Sequence, residues 1–283
     1  QMGVRHILNI RLKKKRDPYL FFEAATRHDI PRRHSFGVVY FEVGNPKASL
    51  YGRAVAEGTH HYDSRIDSRQ SDVRYLKTYD GQTRSNDGSL IGELLFKWSM
   101  SPRDYWALHA YGWKKHKTSE SNGQGELRMN TPSAFTYEGY DKYDAYVLTS
   151  SLYYLHDLSD RRRFEATLDY NRNSDTDKGD RREVYVAPHP SITDYSYDNR
   201  RTSAGLNADY SASWGEASSL NVGTTLRGVS DRVEKFSYPP LPVFRHREWN
   251  GYVYASFSSR LGRLYYMASA GLEAIRLTAG DAT

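Results

Sequence analysis

The sequence predicts an all-β chain, an antiparallel wall of strands that crosses a membrane as part of a β-barrel. Three observations predict it. Runs of about ten residues alternate apolar and polar side chains from Tyr19 onward. Short turns and long polar connections follow each other in strict alternation. The apolar positions hold mainly Ala, Leu, Thr and Gly, with aromatics at the strand ends, a supply that suits lipid better than a packed core.

The strands are expected at Tyr19–Arg27, Phe36–Gly44, Ser49–Glu57, Ser89–Met100, Tyr105–Lys114 and Tyr143–His156, then at Arg163–Asn173, Arg201–Trp214, Ser219–Val229, Trp249–Ser258 and Leu264–Leu277. Successive side chains of a strand point to opposite faces. Thr202, Ala204, Leu206, Ala208, Tyr210, Ala212 and Trp214 therefore share one face, and Ser203, Gly205, Asn207, Asp209, Ser211 and Ser213 the other. Leu220, Val222, Thr224 and Leu226 split from Asn221, Gly223, Thr225 and Arg227 in the same way. The faces of Tyr143–His156 are mixed.

Tight turns are expected at Gly44–Ala48, Ser101–Asp104, Asp157–Arg161, Gly215–Ser218 and Ser259–Gly262, each rich in Gly, Pro, Asp, Asn or Ser. Gly58–Gly88, Lys115–Lys142, Ser174–Arg200 and Ser230–Glu248 read as long polar loops. Short turns at one end and long loops at the other are the signature of outer-membrane barrels. Hydrocarbon leaves no water for an unpaired backbone group, so such a sheet closes on itself. The apolar face then meets lipid, the polar face a wet or plugged lumen, and Trp98, Trp106, Tyr153, Tyr154, Tyr210, Trp214 and Tyr266 fall where interfacial girdles form. A soluble carbohydrate-binding β-sandwich is the competing all-β reading; it would want a richer core and shorter connections.

Composition narrows the function. The net charge is +6, but Arg and Lys are interspersed with acids and no nucleic-acid-binding motif accompanies them, so no nucleic-acid partner is expected. The chain has no cysteine, hence no disulfide and no thiolate metal site. No phosphate loop, nucleophile elbow or HExxH helix is present, and the many carboxylates have no catalytic spacing; neither an enzyme activity nor a cofactor is expected.

The opening segment, Gly3–Asp17 (GVRHILNIRLKKKRD), differs from the rest of the chain. Gly3, Val4, Leu8-Asn9-Ile10, Lys13 and Lys14 resemble the junction of TonB-dependent outer-membrane receptors, where the last plug strand leads into the barrel; Arg5-His6-Ile7 are additional. The hairpins resemble the large barrel of this family, particularly receptors of the Bacteroidetes type. The resemblance implies that residues 1–17 end a plug domain and that residues 18–283 form the N-terminal half of a barrel, about 11 of about 22 strands. It implies an outer-membrane location in a Gram-negative bacterium. It also implies energy-coupled import of a scarce, bulky nutrient such as a ferric siderophore, haem, vitamin, glycan or peptide. The implied partners are outer-membrane lipid, the chain's own plug, an inner-membrane TonB complex reached through a segment upstream, and a surface lipoprotein. An outer-membrane structural or assembly barrel without TonB coupling is the alternative.

Candidate binding residues are the loop tyrosines Tyr62, Tyr75, Tyr79, Tyr137, Tyr140, Tyr185, Tyr195, Tyr197 and Tyr238, since tyrosine offers rigid contact area and a hydrogen-bonding tip. Phe135, Phe236 and Phe244 accompany them, and the prolines of Ser237–Phe244 stiffen one loop. His60 and His61 with Asp63 do not make a metal site by spacing, because adjacent side chains on an extended chain point apart. His109 falls on the face opposite Trp106 and Leu108, toward the lumen. The Lys13–Arg16 run fits a structural or interfacial role at the junction.

Overall fold

The computed structural model describes residues 17–129, 132–186, 191–215, 217–236 and 243–282. The plug-like junction (residues 1–16), Tyr238 and residues 237–242 of the proline-rich segment lie outside that set. The described chain forms eleven strands: β1 (Tyr19–Asp29), β2 (His34–Gly44), β3 (Ala48–Asp72), β4 (Tyr75–Ser101), β5 (Asp104–Arg128) and β6 (Pro132–Ser159), followed by β7 (Arg162–Tyr185), β8 (Ser191–Trp214), β9 (Ser218–Phe236), β10 (Val243–Leu261) and β11 (Leu264–Ala282). They make one antiparallel sheet in which every strand pairs with its sequence neighbour. The all-β class and the strand number agree with the sequence reading. The two sheets of a sandwich are not found among the described residues.

All five expected tight turns are present, at the β2–β3, β4–β5, β6–β7, β8–β9 and β10–β11 connections. Gly215 and Gly262 take positive φ there, 64° and 61°, which glycine reaches at no steric cost. The long loops are not loops. Pairing runs on to Asp72↔Tyr75, Arg128↔Pro132 and Glu183↔Ser191, and Phe244 still faces Val233, so the expected strands continue as hairpin extensions. Those extensions carry polar residues on both faces and only a short cluster of aromatics on one, so no sustained apolar period marks them; the ladder's backbone hydrogen bonds sustain them instead. At 27 residues, β4 is about 90 Å long.

Register decides the faces. Leu20, Val43, Leu50, Phe96, Leu108, Leu152, Leu168, Leu206, Leu226, Gly251 and Ala274 are cross-strand partners in one unbroken row over all eleven strands. Every member is apolar. The adjacent row, on the other face, is mixed: it holds Glu42, His109, Ser151, Asp169, Arg227 and Asn250 together with Phe21, Tyr51, Leu95 and Ile275. A one-residue slip anywhere would mix the two sets, so the sequence pattern specifies the register. The mixed faces of β6 resolve in the same way: Leu148, Leu152 and Tyr154 join the apolar side, and Thr149, Ser151 and Tyr153 the polar side.

The sheet is one layer. Its accessible surface is 21032 Å², against about 12,400 Å² for a compact globule of this mass. Leu168, Leu226 and Leu272 are 51%, 47% and 76% exposed in the middle of the apolar face. In water such a face is a large uncovered hydrophobic surface.

The polar face is concave. Glu183 of β7 is level with Gly81 of β4, through Tyr137 and Gly123. Lys77 would then lie about 19 Å from Glu183 on a flat sheet, farther than the two side chains reach together. Yet Lys77 Nζ is 2.6 Å from Glu183 Oε1, so the wall curls toward its polar side. The strands are also staggered. Members of the leucine row lie 1, 5, 7, 8 and 10 residues before the ends of β2, β4, β6, β8 and β10, so the line of short turns runs obliquely to the rows. Stagger of this kind accompanies strand tilt in barrels.

Candidate ligand-binding recess

The hairpin extensions of β3 to β7 build a recess of about 250 Å³ on the concave face, lined by Ile66, Ser68, Gln70, Lys77, Tyr79, Phe135, Tyr137, Arg181 and Glu183. Alternation selects them: Tyr79, Phe135, Tyr137, Glu183 and Tyr185 all share the face of the polar lower wall. In β3 a bulge between Thr59 and Tyr62 reverses the parity, so that even-numbered residues now share the concave face and Ile66, Ser68 and Gln70 face Gly81, Tyr79 and Lys77.

Two glycines make the recess possible. Gly123 and Gly125 of β5 lie between the aromatics of β4 and those of β6. A Cβ at Gly125 would come 2.4 Å from Phe135 Cζ, and one at Gly123 would come 2.9 Å from Tyr79 Cε2. Without side chains there, Tyr79 and Tyr137 meet edge-to-face across β5, with ring centroids 4.6 Å apart. Phe135 packs on Tyr185 at 5.1 Å. Phe135 and Tyr137 are 3% and 9% exposed, among the most buried side chains of an otherwise open sheet.

Charges surround this aromatic floor. Lys77 Nζ donates to both carboxylate oxygens of Glu183 at 2.6 Å, and Tyr185 OH donates to Oε2 at 2.7 Å. Lys77 Nζ also sits 4.9 Å over the Phe135 ring, and the Arg181 guanidinium 5.2 Å over Tyr137. Burial alone would push the Glu183 carboxyl up, but the hydrogen bonds from Lys77 and Tyr185 outweigh it and hold the group below its ordinary range. Tyr185 is pushed up to about 12 by burial and by its bond to Glu183. Burial, followed by the neighbouring Tyr137, raises Tyr79, whose hydroxyl is buried without a protein partner. Glu183 is thus neutralised by its neighbours, whereas Arg181 is exposed and makes no ion pair among the described residues. The recess therefore offers an aromatic floor, one available cation and one unsatisfied hydroxyl.

Of the candidate tyrosines, the structure gathers Tyr79, Tyr137 and Tyr185. Tyr62 follows the bulge and lines a separate cleft with Arg27 and His34 near β1. Tyr75 stands at the tip of the β3–β4 hairpin. Tyr140 is on the opposite, convex face, between Glu120 and Asp180. Tyr197 is on the concave face but level with Asp177, six residues along β7 from Glu183, and the backbone of Tyr195 faces Gly179. Lys77, Arg181 and Glu183 are not among the sequence candidates. Treating the extensions as loops removes the alternation that places them beside the aromatics.

Of the histidines singled out by sequence, His61 and His109 are held by neighbouring polar groups. His61 is the bulge residue, with φ 53°; its N–H donates to Asn86 Oδ1 at 2.7 Å and its carbonyl accepts from Arg33 Nη1 at 3.3 Å. Asp63 pairs with Arg84 at 2.9 Å. His109 is on the concave face as expected, 3.1 Å from Glu93.

No protein-family model and no curated protein matches this chain. Among solved structures, the outer membrane protease OmpT from Escherichia coli is similar at a TM-score of 0.23 and 11% identity, over 93% of this chain and 92% of that one. Agreement at that level supports neither a fold nor a function, and the amphipathic wall and its recess are the grounds for a functional reading.

Proposed function

We propose that this chain is a wall of an outer-membrane β-barrel that takes up a bulky nutrient from outside the cell. One observation carries the membrane part: the apolar row that crosses all eleven strands on one face, opposite a concave polar face. Among the described residues no second layer covers that row, and hydrocarbon is the solvent that suits it. The short turns then lie on the periplasmic side and the hairpin extensions outside, where the recess faces incoming ligand.

The transport part extends the resemblance of Gly3–Lys14 to the plug–barrel junction of TonB-dependent receptors. In that reading the TonB complex supplies energy through a plug, a surface lipoprotein assists capture, and no chemistry is done on the cargo. The alternative, a barrel that assembles or anchors surface components, shares the wall but not the energy coupling. A strain lacking the gene, and a strain with TonB disrupted, should be grown on haem, ferric siderophores, glycans and peptides as limiting nutrients. Loss of growth on one of them in both strains supports import. Surface location with unchanged growth on all of them contradicts it and favours the alternative.

A further inference from the structure

We infer that the convex face of β7–β11 carries a binding belt for phosphate-bearing lipid headgroups of the outer leaflet. The inference rests on the membrane reading above. On that face, from Phe164 to Tyr170, Ala204 to Ala212, Leu220 to Gly228, Trp249 to Phe257 and Tyr266 to Ala274, no side chain is charged. Directly above that apolar zone the same face presents Arg172, Arg200, Arg232, Arg245, Arg247 and Arg276. All six are exposed.

Register clusters them. Arg200, Arg232 and Arg245 are successive cross-strand partners in one row; Arg172 and Arg247 belong to the row below, through Thr202 and Ser230. Arg276 pairs with Trp249 in the next row down. No carboxylate falls within these three rows on this face. The nearest acids, Asp198 and Glu234, lie one row higher and hold Arg200 and Arg232 at 2.9 Å each. Arg172 rests over the Tyr146 ring at 5.7 Å, and Arg172, Arg245, Arg247 and Arg276 make no ion pair among the described residues. Like charges gathered on adjacent strands repel one another, so the arrangement calls for an external anion.

Height selects the anion. The arginines stand 10 to 16 residues from the ends of their strands at the short turns. With barrel-like tilt that is about 25–40 Å up the wall, at and above the top of an apolar band about 25 Å tall. Headgroups lie at that level, and Trp249 and Tyr170 mark the boundary as interfacial aromatics do. Arginine's planar fork binds phosphate bidentately, and clusters of four to eight cations beside a membrane recognise anionic lipid. The β2–β4 sector has no such cluster, so bound lipid is confined to one side of the wall.

The test reconstitutes the intact native protein into phosphatidylcholine vesicles, then measures retention of bisphosphorylated lipid A and of its dephosphorylated form. The variant Arg172→Gln/Arg247→Gln/Arg276→Gln should insert as the native protein does but retain bisphosphorylated lipid A about 100-fold less, at about five-fold per arginine. Added salt should weaken the native retention. Arg65→Gln/Arg128→Gln, higher on the same face, should change little. Equal retention by the triple variant, equal retention of dephosphorylated lipid, or full displacement by inorganic phosphate would overturn the belt while leaving the barrel standing. Failure of the native protein to insert would overturn the barrel reading and the belt with it.

Discussion

At the residue scale, the recess turns on a few atoms whose surroundings are unlike those of the open sheet. Lys77 and Glu183 are 106 positions apart in sequence and meet only because the wall curls. Their side chains are 22% and 12% exposed, so the pair is partly shielded from solvent. Lys77→Met should leave the carboxylate without its main partner and loosen the β3–β4 and β7–β8 extensions by about 1.5–3 kcal/mol, read by hydrogen exchange of their amides. The pH dependence has a definite sign. Because folding depresses the Glu183 carboxyl, its stabilising contribution is present at neutral pH and above the ordinary carboxylate value of about 4.3. It is lost as pH falls through the lower, folded value. Hydrogen exchange should therefore show the extensions opening in acid, and a Glu183→Gln variant should lose that transition. Tyr79→Phe removes a buried hydroxyl that has no protein partner, so exchange in the extensions should be unchanged or slower. If the hydroxyl serves a ligand, the same variant should lower affinity for a molecule bound in the recess about five- to ten-fold.

At the element scale, the extensions behave as hairpins held by backbone ladders and local pairs. Arg65 to Asp80 at 2.7 Å and Arg84 to Asp63 at 2.9 Å tie β3 to β4 across exposed faces, and each contributes little alone. Gly125 is the more sensitive position. A Gly125→Val side chain would collide with Thr78 O and Phe135, at 2.3 and 2.4 Å, and could be relieved only by parting β4, β5 and β6. Limited trypsin digestion should then cut within the β5–β6 extension, where the native hairpin resists; unchanged resistance would contradict the packing described. This is also where sequence and structure part. The lower strands are legible because a face of apolar and a face of largely polar side chains impose a period of two, and the tight turns because Gly, Pro, Asp and Asn have few other uses. The extensions are not, since polar residues on both faces interrupt the period while the hydrogen-bond ladder continues. The Gly123-Gln124-Gly125 spacing, opposite Phe135 and Tyr137, is the signal available. Strands of such length also change the site: Tyr140 lies near Tyr137 in sequence, yet three residues along a strand put it on the other face.

At the scale of the whole sheet, eleven antiparallel strands leave β1 and β11 running in the same direction, each with one edge that no strand pairs among the described residues. Those two edges could join only as a parallel pair, so antiparallel closure calls for an odd number of further strands. The amphipathic wall is the stronger statement, and substitution on its two faces separates lipid from water. Leu168→Arg should cost about 2–4 kcal/mol of insertion free energy if that face meets the middle of the bilayer. Asp169→Arg, one residue on and on the concave face, should cost far less. The chain has no cysteine, so each introduced cysteine is a single site within it, and the unsubstituted protein serves as the labelling control. The most direct measurement is the reactivity of Ala204→Cys, Gly205→Cys, Leu206→Cys, Asn207→Cys, Ala208→Cys and Asp209→Cys in native membranes toward a membrane-impermeant maleimide. The account predicts that labelling alternates, with positions 205, 207 and 209 reactive and 204, 206 and 208 protected until detergent is added. Uniform labelling along β8, or an alternation of the opposite phase, would contradict a wall with lipid on its apolar side and water on its concave one.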